Sequence, residues 1–179
     1  MAKTGGSVLD KYNQVLKSTQ VIPAANGTGS TQKIPTNYNP RDKSGMLIAR
    51  IVYNFDATLM NLDAILDQFI VGVAVKDMGA SGILPASVGI IDYSKFGPQY
   101  GTLVGFTGQS AKVVSDFSTL IGGGILIHPS SVYFFGQNDS GAAWAAAVNC
   151  FISVYYSIIP LTPDDWQEMW QIGYISNTI

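Results

Sequence analysis

Charge is the scarcest thing in this chain. Only 12% of its 179 residues are charged, about half the usual share, and no Lys or Arg follows Lys112. Cysteine and histidine occur once each. A lone cysteine excludes an internal disulfide and a cysteine-based zinc site. A lone histidine leaves no zinc set and no Ser/His/Asp order above coincidence. No apolar run approaches the roughly 18 residues of a membrane span. The opening Met-Ala-Lys-Thr-Gly-Gly has neither an apolar signal core nor the Met-Gly of a myristoylation site. Neither secretion nor membrane contact is therefore expected. Gly122-Gly123-Gly124 is not followed by Lys-Ser/Thr, so it is no phosphate loop. A turn or a close backbone approach is its reading.

What is present is apolar. At 47% hydrophobic residues, the chain fits one domain with a real core. It also leaves much uncharged surface, which points to burial against partners. The charge it does carry is uneven. Residues 1–50 hold seven basic groups against two acidic ones, a net of +5, and residues 51–179 hold three against ten, a net of −7. A mildly basic head on an acidic body predicts a head that meets an acidic partner, nucleic acid among them, or else a solvated tail. The candidate nucleic-acid-facing residues are Lys3, Lys11, Lys17, Lys33, Arg41 and Lys43.

The clearest pattern lies near the end. Ala146, Val148, Cys150, Ile152, Val154, Tyr156 and Ile158 are all apolar or aromatic, with Asn149, Ser153 and Ser157 between them. Strict alternation predicts a long strand with one greasy face, and Cys150 reads as buried filler on it. Ahead of this strand stand two short apolar pieces, Ile125 to Ile127 and Val132 to Phe135, flanking His128-Pro129-Ser130-Ser131. Gly136 to Gly141 reads as a polar loop. Residues 1–44 read as a flexible arm: isolated apolar pairs, Gly5-Gly6, Pro23, Pro35 and Pro40 break any regular element, with a turn or two of helix possible over Leu9 to Lys17.

The body is expected to begin at Gly45. Leu47, Ala49, Ile51, Tyr53 and Phe55 share one parity, as do Phe69, Val71, Val73 and Val75. A short helix or loop is predicted over Thr58 to Leu66, a weak strand over 83–92, a short strand over Leu103 to Phe106, and another from Ala111 to Ile121. About eight strands, with turns every 8–12 residues, predict an antiparallel two-sheet sandwich or barrel. At the end, Thr162 caps a short helix with Pro163 in its first position and Asp164-Asp165 at its positive terminus. Trp166, Met169 and Trp170 share one face of it.

Chemistry is thin. His128 reads as a turn or partner hydrogen-bonding group, and Asp164-Asp165 as helix-terminus residues rather than calcium ligands. Trp144, Trp166 and Trp170, which with nine tyrosines could stack on bases or sugars, have no Lys or Arg near them, which argues against a nucleic-acid face there. No set of residues assigns an acid, a base and an electrophile. No enzymatic activity, metal or cofactor is expected.

An arm, about eight strands, a charge-poor body and a long last strand with a C-terminal tail together resemble the single jelly-roll capsid proteins of small icosahedral viruses. Satellite viruses and circular single-stranded-DNA viruses have such proteins. Gly124-Ile-Leu-Ile-His-Pro-Ser-Ser-Val-Tyr-Phe-Phe-Gly136 is the nearest local echo. The resemblance implies an all-β, antiparallel eight-stranded jelly-roll sandwich over 45–179, with the arm at 1–44 turned inward. It implies a homo-oligomeric closed shell in a virion, and nucleic acid reached through the arm. The arm departs from that pattern in lacking an arginine-rich run. Roughly sixty arms at +5 supply about 300 charges, which leaves a genome of a thousand or more nucleotides mostly unneutralised. Trp166, Met169, Trp170 and Tyr174 are the expected subunit contacts, with plugging of the chain's own sandwich as the alternative. The rival function is a trimeric jelly-roll module that binds carbohydrate or a receptor.

Overall fold

The computed structural model describes residues 14–36, 43–56, 68–80, 89–96, 110–120, 122–129, 132–141, 143–144 and 146–168. Among them are nine strands: β1 (Gln14–Ile22), β2 (Gly29–Lys33), β3 (Ser44–Asp56), β4 (Phe69–Ala74), β5 (Ile90–Phe96), β6 (Ser110–Asp116), β7 (Ile125–Ile127), β8 (Tyr133–Asn138) and β9 (Val148–Pro160). A short helix, α1, covers 163–168. The strands form two antiparallel sheets. One runs β1-β9-β3-β6, with β7 also on β3, and the other runs β2-β8-β4-β5.

The pairing follows a single long hairpin. β1 pairs with β9, β2 with β8, β3 with β6 and β7, and β4 with β5. Rolling that hairpin over adds the β3–β9 and β8–β4 ladders. This is jelly-roll connectivity, two Greek keys in two sheets. Nine strands are described because β1 and β2, which were expected to be arm, join the expected ones, and one position of the jelly roll is split. β6 runs opposite Arg50 to Asp56 and β7 opposite Met46 to Ile48, so both lie end to end along β3. Between them the chain loops out. Gly122 and Gly123 take positive φ there, and a Cβ on Gly124 would stand 2.4 Å from the Ile48 carbonyl oxygen. The glycine run thus makes both a turn and a close approach of backbone to backbone, as only residues without Cβ can.

The core is where alternation places it. Val148, Cys150, Ile152, Val154 and Tyr156 of β9 face inward and are buried, against Ile51 and Tyr53 of β3 and Phe69, Val71, Val73 and Phe134 of the opposite sheet. The ends of the predicted greasy face are wet, with Ala146 and Ile158 exposed. Each buried Val or Ile contributes about 1.5–3 kcal/mol, before chain entropy is set against it.

Three expectations need correction. The first is the arm. Residues 14–36 are structural: β1 forms one edge of the larger sheet, β2 one edge of the smaller, and Ile22 and Ile34 are buried. Gln14 to Lys17, offered as helix, are strand. Val15 to Ile22 looked like isolated apolar pairs because β1 is a half-buried edge, with only Gln20 and Ile22 fully covered. The boundary at Gly45 therefore fails, while residues 1–13 lie outside the described residues.

The second concerns parity in β3. The core residues are Met46 and Ile48, then Ile51 and Tyr53, because the register slips between Ile48 and Arg50. A bulge adds one residue and moves every side chain beyond it to the other face. The displaced Ala49 carbonyl accepts a hydrogen bond from Phe117 N at 2.8 Å.

The third is the polar loop at Gly136 to Gly141. Gly136, Gln137 and Asn138 continue β8 and are buried. Asn138 Nδ2 donates to the Ala24 carbonyl at 2.8 Å, and Asn138 Oδ1 accepts from Ser140 N at 2.9 Å. Ser140 Oγ in turn donates to the Gln68 carbonyl at 3.0 Å. The polar residues are there to satisfy backbone groups of the β1–β2 turn and the start of β4.

The strands on Phe69 and Ile125 fall where expected, while the strand expected from Ala111 to Ile121 ends earlier, at Asp116. Of the weak strand expected over 83–92, residues 83–88 lie outside the described residues and 90–92 fall in β5, which runs on to Phe96. Thr58 to Leu66 and Leu103 to Phe106 lie outside the described residues. β4 is buried on both faces. Its second face carries Ile70 and Ala74, packed with Phe135 as a smaller cluster. Gly72 makes room for it, since a Cβ there would meet the Phe135 ring and the Asp92 carbonyl at 2.4 Å.

A polar tie between Tyr53 and Asp92 joins the sheets through the core. The Tyr53 hydroxyl donates to Asp92 Oδ2 at 2.8 Å. Burial first, and then the Asp92 charge, raise the Tyr53 pKa well above 10. Burial also pushes the Cys150 thiol up to about 12. Both groups are held neutral by the fold more strongly than in the unfolded chain. Their contribution to stability is therefore complete at neutral pH, and is lost as pH rises through the raised values. Denaturant melts from pH 8 to 11 are expected to show falling stability above about pH 9. Tyr53→Phe should lose about 1–3 kcal/mol at neutral pH and flatten part of the alkaline decline. An unchanged alkaline slope in that variant would contradict the assignment.

Candidate interaction surfaces

The three described basic residues singled out from the sequence, Lys17, Lys33 and Lys43, do not converge. Lys17 is exposed near the middle of β1, on the outer face of the five-stranded sheet. Lys33 ends β2 on the other sheet, its Nζ 5.7 Å from the Tyr133 ring centroid. Lys43 is exposed just before β3, and its carbonyl accepts from Leu161 N at 2.9 Å. Lys3, Lys11 and Arg41 lie outside the described residues.

Of the expected subunit contacts, Trp166 is described and half-buried on α1. Met169, Trp170 and Tyr174 lie outside the described residues. The cap on α1 is as predicted: Asp165 N donates to Thr162 Oγ1 at 3.2 Å, and Thr162 Oγ1 donates to Asp165 Oδ2 at 2.5 Å. His128 is half-buried between β7 and β8, and burial lowers its pKa from 6.5. Trp144 packs inside, edge-on to Phe69 with ring centroids 5.8 Å apart. Among the described residues, no three His, Cys, Asp or Glu side chains group as metal ligands. No described helix is long and apolar enough to cross a membrane.

What the fold does assemble is the outer face of the five-stranded sheet. Four strands run side by side there, and the register gives its rows. Thr19, Phe151, Asn54 and Lys112 stand in one row. Lys17, Ser153, Val52 and Val114 form the next, and Val15, Tyr155, Arg50 and Asp116 the third. Arg50 Nη2 and Nε reach Asp116 Oδ2 at 2.8 and 3.2 Å. Hydrogen bonds from Ser118, and after them Arg50, hold the Asp116 pKa down to about 2. Among the described residues, five of the eight exposed large hydrophobic side chains lie on this face: Val15, Val21, Val114, Leu126 and Phe151. Phe151 is 49% exposed, the most of any of them.

Sequence reasoning gave the outward parity of β9, of β6 and of β3 beyond Ala49, but not of β1, and missed this face. The signal was present: Phe151 and Tyr155 occupy outward positions of β9, among Asn149, Ser153 and Ser157. Which strands flank β9, and so which charges share their face, is decided by pairings between segments far apart in the chain.

No protein-family model matches the chain, and no curated protein matches it. Among solved structures it is similar to a chain of the crystal structure of Tomato Aspermy Virus. The two share 11% sequence identity and a TM-score of 0.46, over 91% of this chain and 85% of that one.

Proposed function

We propose that the chain is a structural, non-catalytic subunit that associates with copies of itself into a closed shell, as the coat of a virus particle. The observation that supports this most is one of surface. A jelly roll with only 12% charged residues leaves large apolar groups uncovered on the flat outside of one sheet and at its edge. Leu120, at 48% exposure, stands on the excursion between β6 and β7. Such surface is covered when proteins associate. The jelly roll itself hosts many functions, so the reading rests on what the fold exposes. Its location is then the virion, with assembly inside the host cell.

The test is the mass of the purified full-length chain by multi-angle light scattering, across concentration and salt. A shell subunit gives a species of roughly sixty copies or more under some of these conditions. A monomer or trimer under all of them overturns the proposal, the trimer favouring a carbohydrate- or receptor-binding module.

A further inference from the structure

We propose that β6 pairs antiparallel with β6 of a second copy, about a two-fold axis at Val114, so that two five-stranded sheets run on as one. The proposal rests on the reading of the chain as self-associating and names one contact from which a shell would be built. A sheet edge is a template for another strand unless something blunts it. The two sheet orders end on β1 and β6 and on β2 and β5. β1 and β2 are tied to each other: Gln20 Nε2 donates to the Ser30 carbonyl at 3.0 Å, and Ser30 Oγ donates to the Val21 carbonyl. β5 carries an extra residue, Ile91, against β4, and such a bulge turns an edge away from new partners. β6 pairs with β3 without a slip from Ser110 to Asp116. Among the described residues no strand covers its other side.

Charge and backbone direction together choose the occupant. Phe117 N donates to the Ala49 carbonyl of β3 at 2.8 Å. Backbone groups alternate in direction along a strand, so those of Val113 and Ser115 also turn toward β3. Those of Lys112, Val114 and Asp116 turn to the open side, and all three side chains are exposed. The stretch Lys-Val-Val-Ser-Asp is complementary to itself when reversed. With the axis at Val114, Lys112 of each copy stands opposite Asp116 of the other, and Val114 meets Val114. An axis at Lys112 would set like charges opposite each other, which destabilises a strand pair as opposite charges stabilise it. Val114 is 47% exposed and lies beside Val52, so the contact doubles an apolar row that one subunit leaves in water. Asp116 already accepts from Arg50 and from Ser118 N. Its side chain is still 37% exposed, and a carboxylate has lone pairs left for an ammonium.

The test traps the contact in the full-length chain, in whatever state of assembly it adopts. Residues opposite each other in a hydrogen-bonded antiparallel pair have Cα atoms about 5.5 Å apart, within disulfide range. Cys150 is buried and its thiol pKa is pushed up to about 12, so a cysteine added at the surface reacts alone. Mild oxidation of Val114→Cys should give a disulfide-linked dimer as the main product on a non-reducing gel. Lys112→Cys should stay unlinked, since its two copies would stand roughly 13 Å apart along the strands. Lys112→Glu and Asp116→Lys should each weaken dimerisation by about tenfold, as sedimentation at low protein concentration reads it. An equimolar mixture of the two should recover it, because every acidic position then faces a basic one. Val114→Cys that stays unlinked overturns the proposal, even where particles form and the shell reading stands. Equal linking of Lys112→Cys overturns it too, since that means random encounter, as does a mixture that recovers nothing. A linked dimer with no larger particle supports this contact and removes the closed shell.

Discussion

Removal of residues 1–36 is expected to leave no folded protein. The truncation deletes β1 and β2, one strand from each sheet. It strips nine residues of pairing from β9 and five from β8. Ile22, which closes one end of the core over Gly136, and Ile34 are lost with them. At about 1.5–3 kcal/mol for each buried Ile, with two ladders gone besides, the loss is comparable to the whole 5–15 kcal/mol that a domain of this kind retains. The bared edge of β9 would also be open to pairing with other chains. Far-ultraviolet circular dichroism and soluble yield measure the effect, beside a control lacking only residues 1–13, which keeps both strands. A cooperative melt of residues 37–179 close to that of the intact chain would show that β1 and β2 are dispensable.

The second large effect is expected from Val154→Asp. Val154 is 0% exposed, in the middle of the longest inward row of the sandwich. It lies opposite Ile51 of β3 and Leu16 of β1. A carboxylate there has no cation within the core and must either ionise unpaired or bind a proton against its ordinary pKa. The expected loss is about 4–5 kcal/mol or more, enough to abolish soluble folding of a marginally stable subunit. Ser153→Asp, one residue earlier and half-buried on the outer face, is the paired control and should remain soluble with a melt near that of the parent. The comparison reads the register directly. Greater damage from Ser153→Asp would place the core on the other side of β9.

How much of this was legible beforehand differs by element. β9 was readable because a central strand buried on one face alternates strictly, and the bulge in its ladder with β3 falls on the β3 side, at Ala49. The Thr162 cap was readable because capping is local chemistry between residues three apart. β1 was not, because an edge strand covered only at Gln20 and Ile22 leaves little pattern. The bulge at Ala49 hid the inward set of β3, since the apolar run Met46-Leu47-Ile48-Ala49 reads equally well in either parity. Asn138 looked like a loop residue because polarity was taken for exposure. Its buried amide serves the backbone of a turn more than a hundred residues away.

The same limit applies to the candidate surfaces. The charges of the amino-terminal part were visible as a count, yet the fold sends Lys17 and Lys33 to different sheets. Lys17 and Arg50 instead share one face with Lys112, Phe151 and Tyr155, which come from distant segments. No local pattern announces a face built from four strands that are paired across the length of the chain. Hairpin order, not composition, decides which rings stand beside which cations.

The central claim is that these jelly rolls associate through the surface they leave apolar, and a negative-stain electron micrograph of the purified full-length chain tests it most directly. The account predicts closed particles of uniform diameter. A field of small, separate molecules, under conditions where circular dichroism shows the chain to be folded, would contradict it.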